Sequence, residues 1–251
     1  MISKAKIKLI NSLKLSKYRK ENKIFLAEGS TNVLDFLQSN IQVIEVFATP
    51  NWLEKHASVL NKITVTETSQ KEFEKITALK TPSEVLALLA IPEYPKIDQA
   101  SINDLVLMLD DIKDPGNLGT IIRTAEWFGI KRIICSPETV DAYNPKVVQA
   151  SMGSLARVEV YYTDLYGFLS SVSLEIPIFG ALLRGKPLTE IKKPEKGIIL
   201  IGNEARGISE NLLPLITEKI TIPAYQVASD CRAESLNASI ATAIICYAFR
   251  N

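Results

Sequence analysis

The sequence holds a single histidine, His56, and three cysteines, Cys135, Cys231 and Cys246, with no C-x-x-C pair among them. A nucleophilic relay of the Ser-His-Asp or Cys-His kind would have to run through His56, whose setting, NWLEKHASVL, reads as a surface helix. An odd, scattered cysteine set suggests neither a disulfide framework nor a zinc site, so no metal is expected. No apolar run reaches membrane-spanning length, and a membrane is not an expected partner. The opening MISKAKIKLINSLKLSKYRK lacks the uninterrupted apolar core of a secretory signal, which makes the cytoplasm the expected compartment. Neither G-x-G-x-x-G nor G-x-x-x-x-G-K-[ST] occurs, so dinucleotide and P-loop chemistry lack their glycine frameworks. Internal repeats and low-complexity tracts are absent as well.

What is present is an ordinary globular composition, 47% apolar and 23% charged over 251 residues. That length allows one large domain or two small ones, each with a core. The charge is unevenly spread. Residues 1–23 carry Lys4, Lys6, Lys8, Lys14, Lys17, Arg19, Lys20 and Lys23 against Glu21 alone, a local charge of +7 in a chain of net +1. Such a run is either a solvated helix face or the electrostatic footprint of a polyanion.

The chain alternates between strand and helix patterns. After the basic helical stretch come the strand KIFLAEG, a helix through Val33, Leu34 and Leu37, the strand IQVIEVFAT and a helix over 51–60. The strand KITVTE, the capping box Ser69-x-x-Glu72 opening a further helix, and EVLALLAI close this part. Strands separated by helices of this length imply βαβ units in a small α/β domain, residues 1–92. PEYPKIDQAS reads as a linker, 93–102. A second domain, 103–251, follows, with strands LVLMLDD, RIICS, RVEVYY, PIFGALL, GIILIG and KITIP. Helices are expected there over 118–128, 145–151, 165–173 and 209–216, and from about 235. Its central strands are continuous apolar runs, the pattern of a parallel sheet covered on both faces.

In open parallel sheets ligands bind beyond the carboxyl ends of the strands. Three junctions of that type bear Gly and Asn: LDDIKDPGNLGTIIRTAEWFGI, GIILIGNEARGIS, and the segment from ITIP to Ser235-Leu236-Asn237. Any one of them could be no more than a turn. Together they set Asn117, Arg123, Glu204, Ser235 and Asn237 at or just beyond strand ends.

These junctions resemble the three motifs of the SpoU (TrmH) family of RNA ribose 2′-O-methyltransferases, in the SPOUT class. The first is Asp114-Pro115-Gly116-Asn117-x-Gly119-x-x-x-Arg123-x-Ala125. The second is Gly202-x-Glu204-x-x-Gly207, and the third Ile222-Pro223…Ser235-Leu236-Asn237-x-Ser239. YNPKVVQASMGSL is also similar to the family, although relatives often carry Arg where Gln149 stands. KYRKENKIFLAEG and TPSEVLALL resemble the opening and close of its substrate-binding domain.

The resemblance implies a parallel-sheet α/β SPOUT domain with a C-terminal trefoil knot, preceded by a smaller α/β substrate-binding domain. It implies S-adenosylmethionine as cofactor, held at Leu182, Gly202, Ile222, Ser235 and Leu236, with Gly202 bare so that backbone can approach the adenosine. Arg123 is implied as the principal catalytic residue, with Asn117, Glu204 and Asn237 fixing the junctions and the ribose; a structural Arg123–Glu204 ion pair is the alternative. RNA is the implied partner, ribosomal RNA first with transfer RNA as the alternative, met by Lys4, Lys6, Lys8, Lys14 and Arg19. A catalytically silent RNA-binding member of the same fold is the competing class. The last helix has Leu236, Ile240, Ala243, Ile244 and Tyr247 on one face. That face suits a core helix, and the family places the region at a homodimer interface. The third junction is longer than the family's and lacks glycine over 224–234; this loop is expected to order when cofactor or RNA binds.

Overall fold

A computed structural model of the chain describes residues 2–98, 102–224 and 234–251. Two compact units emerge: Met1–Glu93 with Asp141–Arg157, and Tyr94–Val140 with Val158–Asn251.

The first unit begins with α1 (Lys4–Ser12), opened by the Ser3 hydroxyl accepting from the Lys6 N–H, and α2 (Ser16–Asn22). Then follow β1 (Ile24–Glu28), α3 (Ser30–Leu37), β2 (Val43–Ala48), α4 (Pro50–His56), β3 (Val65–Glu67), α5 (Gln70–Ile76) and β4 (Val85–Ala90). The sheet order is β1-β4-β2-β3, with β4 antiparallel to both β1 and β2. Only β2-α4-β3 is a parallel βαβ unit, so the expected series of such units is corrected to a mixed sheet. The physical reason is β4 itself: VLALLA is apolar throughout and buried over five of its six residues. Such a strand belongs between two partners, and it separates β1 from β2. Ile10 and Leu13 join Leu26, Phe47, Phe73 and Leu86 in the core beneath. The capping box opening α5 forms as its residues foretell. Glu72 also accepts from the Ile2 N–H at 2.8 Å, so one carboxylate caps a helix and holds the start of the chain. The helix expected over 51–60 is α4 followed by a 3₁₀ turn, Ala57–Val59.

Asp141–Arg157 completes this unit through α7 (Pro145–Ser151), capped by the Asn144 side chain with Pro145 in its first turn. Tyr143 packs on Phe25 with ring centroids 4.8 Å apart.

The second unit is a six-stranded sheet: β5 (Leu105–Leu109), β6 (Arg132–Cys135), β7 (Glu159–Tyr162), β8 (Ile178–Pro187), β9 (Gly197–Ile201) and β10 (Glu218–Thr221). The order is β10-β8-β9-β5-β6-β7, every pair parallel. Both β5 and β9 are buried along their whole length, as their unbroken apolar runs require. Helices α6 (Pro115–Trp127), α8 (Leu165–Ser171) and α9 (Ala238–Arg250) complete the unit. Residues 209–216 hold only a 3₁₀ turn, Leu213–Leu215, because Pro214 cannot donate to a helical ladder. The last helix starts at Ala238, since Asn237 is spent as its cap. Since β5, β9, β8 and β10 are parallel neighbours in that order, the three junctions leave the sheet at the same end, beyond the carboxyl ends of its strands.

A candidate active site at the strand ends

Asp114 opens α6 by accepting from the Asn117 N–H at 2.8 Å, and Pro115 supplies a preset φ where no donor is needed. This cap fixes Asn117 in the first turn. Its Nδ2 donates to Glu204 Oε1 at 2.6 Å, and its Oδ1 accepts from Asn237 Nδ2 at 2.9 Å. Asn237 Oδ1 in turn accepts from the N–H groups of Ser239 and Ile240, capping α9. Residues 87 and 120 positions apart thus share one hydrogen-bonded node.

The Glu204 turn is built from backbone. Asn203 and Gly207 exchange N–H···O bonds at 3.0 and 2.8 Å, and Gly207 sits at φ +71°. A Cβ on Gly202 would overlap the Gly207–Ile208 peptide. The turn's own return therefore requires glycine there, in addition to the expected reason, close approach of backbone to an adenosine.

Asp110 and Asp111, a buried pair with no role expected from the motifs, hold this turn in place. Asp110 Oδ2 accepts from the Ser209 N–H at 2.7 Å. Asp111 has a left-handed backbone, φ +60°; its carbonyl accepts from Asn203 Nδ2 at 2.8 Å, and its carboxylate pairs with Arg206 and with Lys113. The doubled carboxylate directly after an apolar strand was the signal available.

Arg123, on α6, is exposed and makes no ion pair or hydrogen bond among the described residues. The alternative Arg123–Glu204 pair is not formed, since Glu204 is engaged by Asn117.

Residues 104–247 match the SpoU rRNA methylase family, and residues 4–87 the MRM3-like substrate-binding domain. The chain belongs to the SpoU rRNA methylase family. It is 31% identical over 252 residues to the 23S rRNA (guanosine(2553)-2′-O)-methyltransferase RlmP of Bacillus subtilis, covering 98% of this chain and 96% of that one. A TrmH-family protein of Porphyromonas gingivalis superimposes with TM-score 0.88 at 36% identity, over 100% of this chain and 98% of the other. The AdoMet-bound rRNA methyltransferase of Sinorhizobium meliloti gives 0.86 at 28%, over 100% and 96%.

Gly202 and Ile222, both half-buried, lie just past β9 and β10. Leu182 is half-buried on β8, two residues beyond Gly180, the partner of Leu200. Ser235 and Leu236 are exposed just before the Asn237 cap. The loop over 224–234 lies, except for its two ends, outside the described residues.

The basic run divides. Lys4 and Lys8 are exposed. Lys6 pairs with Glu45 at 2.6 Å, and Lys14 donates to Asn11 Oδ1 and the Thr77 carbonyl at 2.6 and 2.7 Å. Arg19, expected to meet RNA, is instead 1% exposed; it pairs with Asp141 at 2.5 Å and donates to the Leu13 carbonyl at 2.8 Å. A guanidinium buried on a carboxylate tethers the 141–157 segment and cannot reach a phosphate. His56 stacks on Trp52 with centroids 4.5 Å apart. Cys135 and Cys246 are buried, which pushes both thiols up, Cys246 to about 12, so neither forms a nucleophilic thiolate at neutral pH.

Proposed function

We propose that this chain transfers the methyl group of S-adenosylmethionine to a ribose 2′-hydroxyl of ribosomal RNA, acting as a homodimer. The observation that carries the reading is the node in which Asn117 joins Glu204 and Asn237, on the same helix as the exposed Arg123, in a chain whose relatives are named ribosomal-RNA methyltransferases. When bound, S-adenosylmethionine supplies an electrophilic methyl group on a sulfonium. Leu182, Ile222 and Leu236 would flank its adenine, with backbone at Gly202 and Ser235 providing polar contacts. Arg123 stays protonated, so its role is to clamp the substrate phosphate and stabilise negative charge growing on the 2′-oxygen, while phosphate or water accepts the proton. Glu204 fixes the Asn117 amide and Asn117 in turn fixes that of Asn237, so the hydroxyl is oriented without reorganisation during the reaction.

The α9 face bearing Leu236, Ile240, Ile244 and Tyr247 is exposed, and the helix buries Ala238, Thr242, Ile245, Cys246 and Phe249 instead. The core assignment of that face is corrected: it is the open side of the helix, and it supports pairing with a second copy. A trefoil knot belongs to the same proposal. Its support is the path of the chain, which runs out to the edge strand β10 and returns so that α9 meets α6, with Arg250 Nε donating to the Phe128 carbonyl at 2.9 Å.

The test is methyl incorporation from labelled S-adenosylmethionine into ribosomal RNA of a strain lacking the gene, followed by ribose-methylation mapping. One 2′-O-methylated nucleotide, lost when that position is 2′-deoxy, is expected. Methylation of transfer RNA alone, or cofactor binding without any transfer, would sink the reading.

A further inference from the structure

Within the first unit a cavity of about 250 Å³ opens between β1, the turn after α5, and α7. Leu26, Ala78, Leu79, Pro145 and Ala150 form its apolar walls. Glu28, Lys146 and Gln149 add polar groups. Glu28 is 5% exposed, and its two carboxylate oxygens accept from the Thr77 hydroxyl and the Ala78 N–H, each at 2.7 Å. Each oxygen keeps a second lone pair. Gln149 Oε1 accepts from Asn32 Nδ2 at 3.2 Å, which fixes the amide and presents its Nε2 without a partner among the described residues. Asn32 is 1% exposed, and its Oδ1 is buried with no hydrogen-bond partner. Lys146 is exposed, its ammonium unpaired among the described residues.

We propose that this cavity receives one unstacked nucleobase of the RNA substrate. The polymer is taken from the function proposed above; the base site is argued from the cavity alone. Pockets for drug-sized ligands run to ~300–1,000 Å³, so this volume suits a single ring system and excludes a whole cofactor. Apolar side chains on opposing walls can sandwich a flat ring as stacked neighbours do in RNA. The Watson–Crick edge of every base offers an acceptor beside a donor, which complements the Gln149 amide N–H and the Glu28 carboxylate. Lys146 at the rim matches the phosphate that must follow the base. The same unit carries the exposed cations Lys4 and Lys8, which favour a polyanion elsewhere on its surface. An unstacked base exists only in single-stranded or looped RNA, and the substrate class narrows accordingly.

The test uses the full chain with methyl-labelled leucine and a short single-stranded RNA of mixed sequence, observed by nuclear magnetic resonance. Saturable shifts of the Leu26 and Leu79 methyl signals are expected, absent with an abasic strand of the same length. Ala150→Phe, which fills the cavity from a helical position, should abolish them. Lys146→Ala, a surface change that leaves the fold alone, should weaken RNA binding by about tenfold, the scale of one interaction with a single nucleotide. RNA that binds without moving these signals, RNA that fails to bind, or an abasic strand that moves them equally overturns the base site. Methyl transfer to ribosomal RNA is scored separately. Wild-type protein without transfer but with base-dependent shifts condemns the enzymatic reading alone, and full transfer with unmoved leucine signals condemns the cavity alone.

Discussion

At the scale of single residues, the site depends on keeping polar groups singly committed. Asn117 spends its amide on Glu204 and Asn237, and Arg123 keeps its guanidinium for the substrate. Arg123→Ala should therefore lower methyl transfer by about 100-fold or more, ~3 kcal/mol, comparable to losing one oxyanion donor. Cofactor affinity measured by calorimetry should stay within a factor of a few, since none of the expected cofactor contacts involves Arg123. A parallel fall in cofactor binding would assign Arg123 a structural role instead. Glu72 makes a second residue-scale prediction. Backbone N–H groups of Ile2 and Ser69 and the Ser69 hydroxyl hold its carboxyl at about 2, below the usual carboxylate range. A folded value depressed below the unfolded one means stability present above about pH 4 and lost as pH falls towards 2. Glu72→Gln should flatten that part of the stability–pH curve; an unchanged acid limb in denaturant titrations would show that the contact does not couple to folding.

At the scale of elements, α6 and α9 divide the labour. Each is opened by a polar cap from a junction, Asp114 and Asn237, so the caps that start the helices also place the site. The outer face of α9 is apolar and exposed, and Trp127 at the end of α6 is 84% exposed. Ile240→Asp with Ile244→Asp should weaken self-association by about tenfold or more in sedimentation equilibrium, as expected when anchors at an interface centre are replaced by charge. The helix should survive, because its buried residues are untouched. A variant that sediments as the wild type would move the dimer interface elsewhere.

At the scale of the whole molecule, the 141–157 segment interrupts the sequence of the second unit but packs with the first. Arg19–Asp141, Phe25–Tyr143 and Asp35–Arg157 all hold it there. A fragment starting at residue 94 strips this segment of its partners and exposes Ala142, Tyr143, Val147 and Val148. Hydrogen exchange in such a fragment should be fast over 141–157 while β5 and β9 stay protected. Full protection of the segment without residues 2–93 would show that it folds with the second unit.

What the sequence determined alone is what local physics can decide. Asn144-Pro145 had to start a helix, and the unbroken apolar runs of β5 and β9 had to lie inside a parallel sheet; at Asp114-Pro115 the expected turn before residue 118 is instead the cap and first turn of α6. The motif residues were legible as a set because their order along the chain is itself a pattern. Tertiary structure alone decided who meets whom. Arg19 stands in a run of surface lysines and is indistinguishable from them until Asp141 arrives from 122 residues away. The α9 face was apolar in either environment, so periodicity could name it without saying whether core or solvent lay against it. Gly202 reads as a cofactor glycine in the sequence, and only the fold adds a second demand on it, the peptide five residues on. Helix caps and strand patterns act over a few residues, where the chain constrains its own neighbours. Hydrogen bonds and ion pairs across 87 to 122 positions depend on strand order, which is set by the competition among all strands for the middle of a sheet.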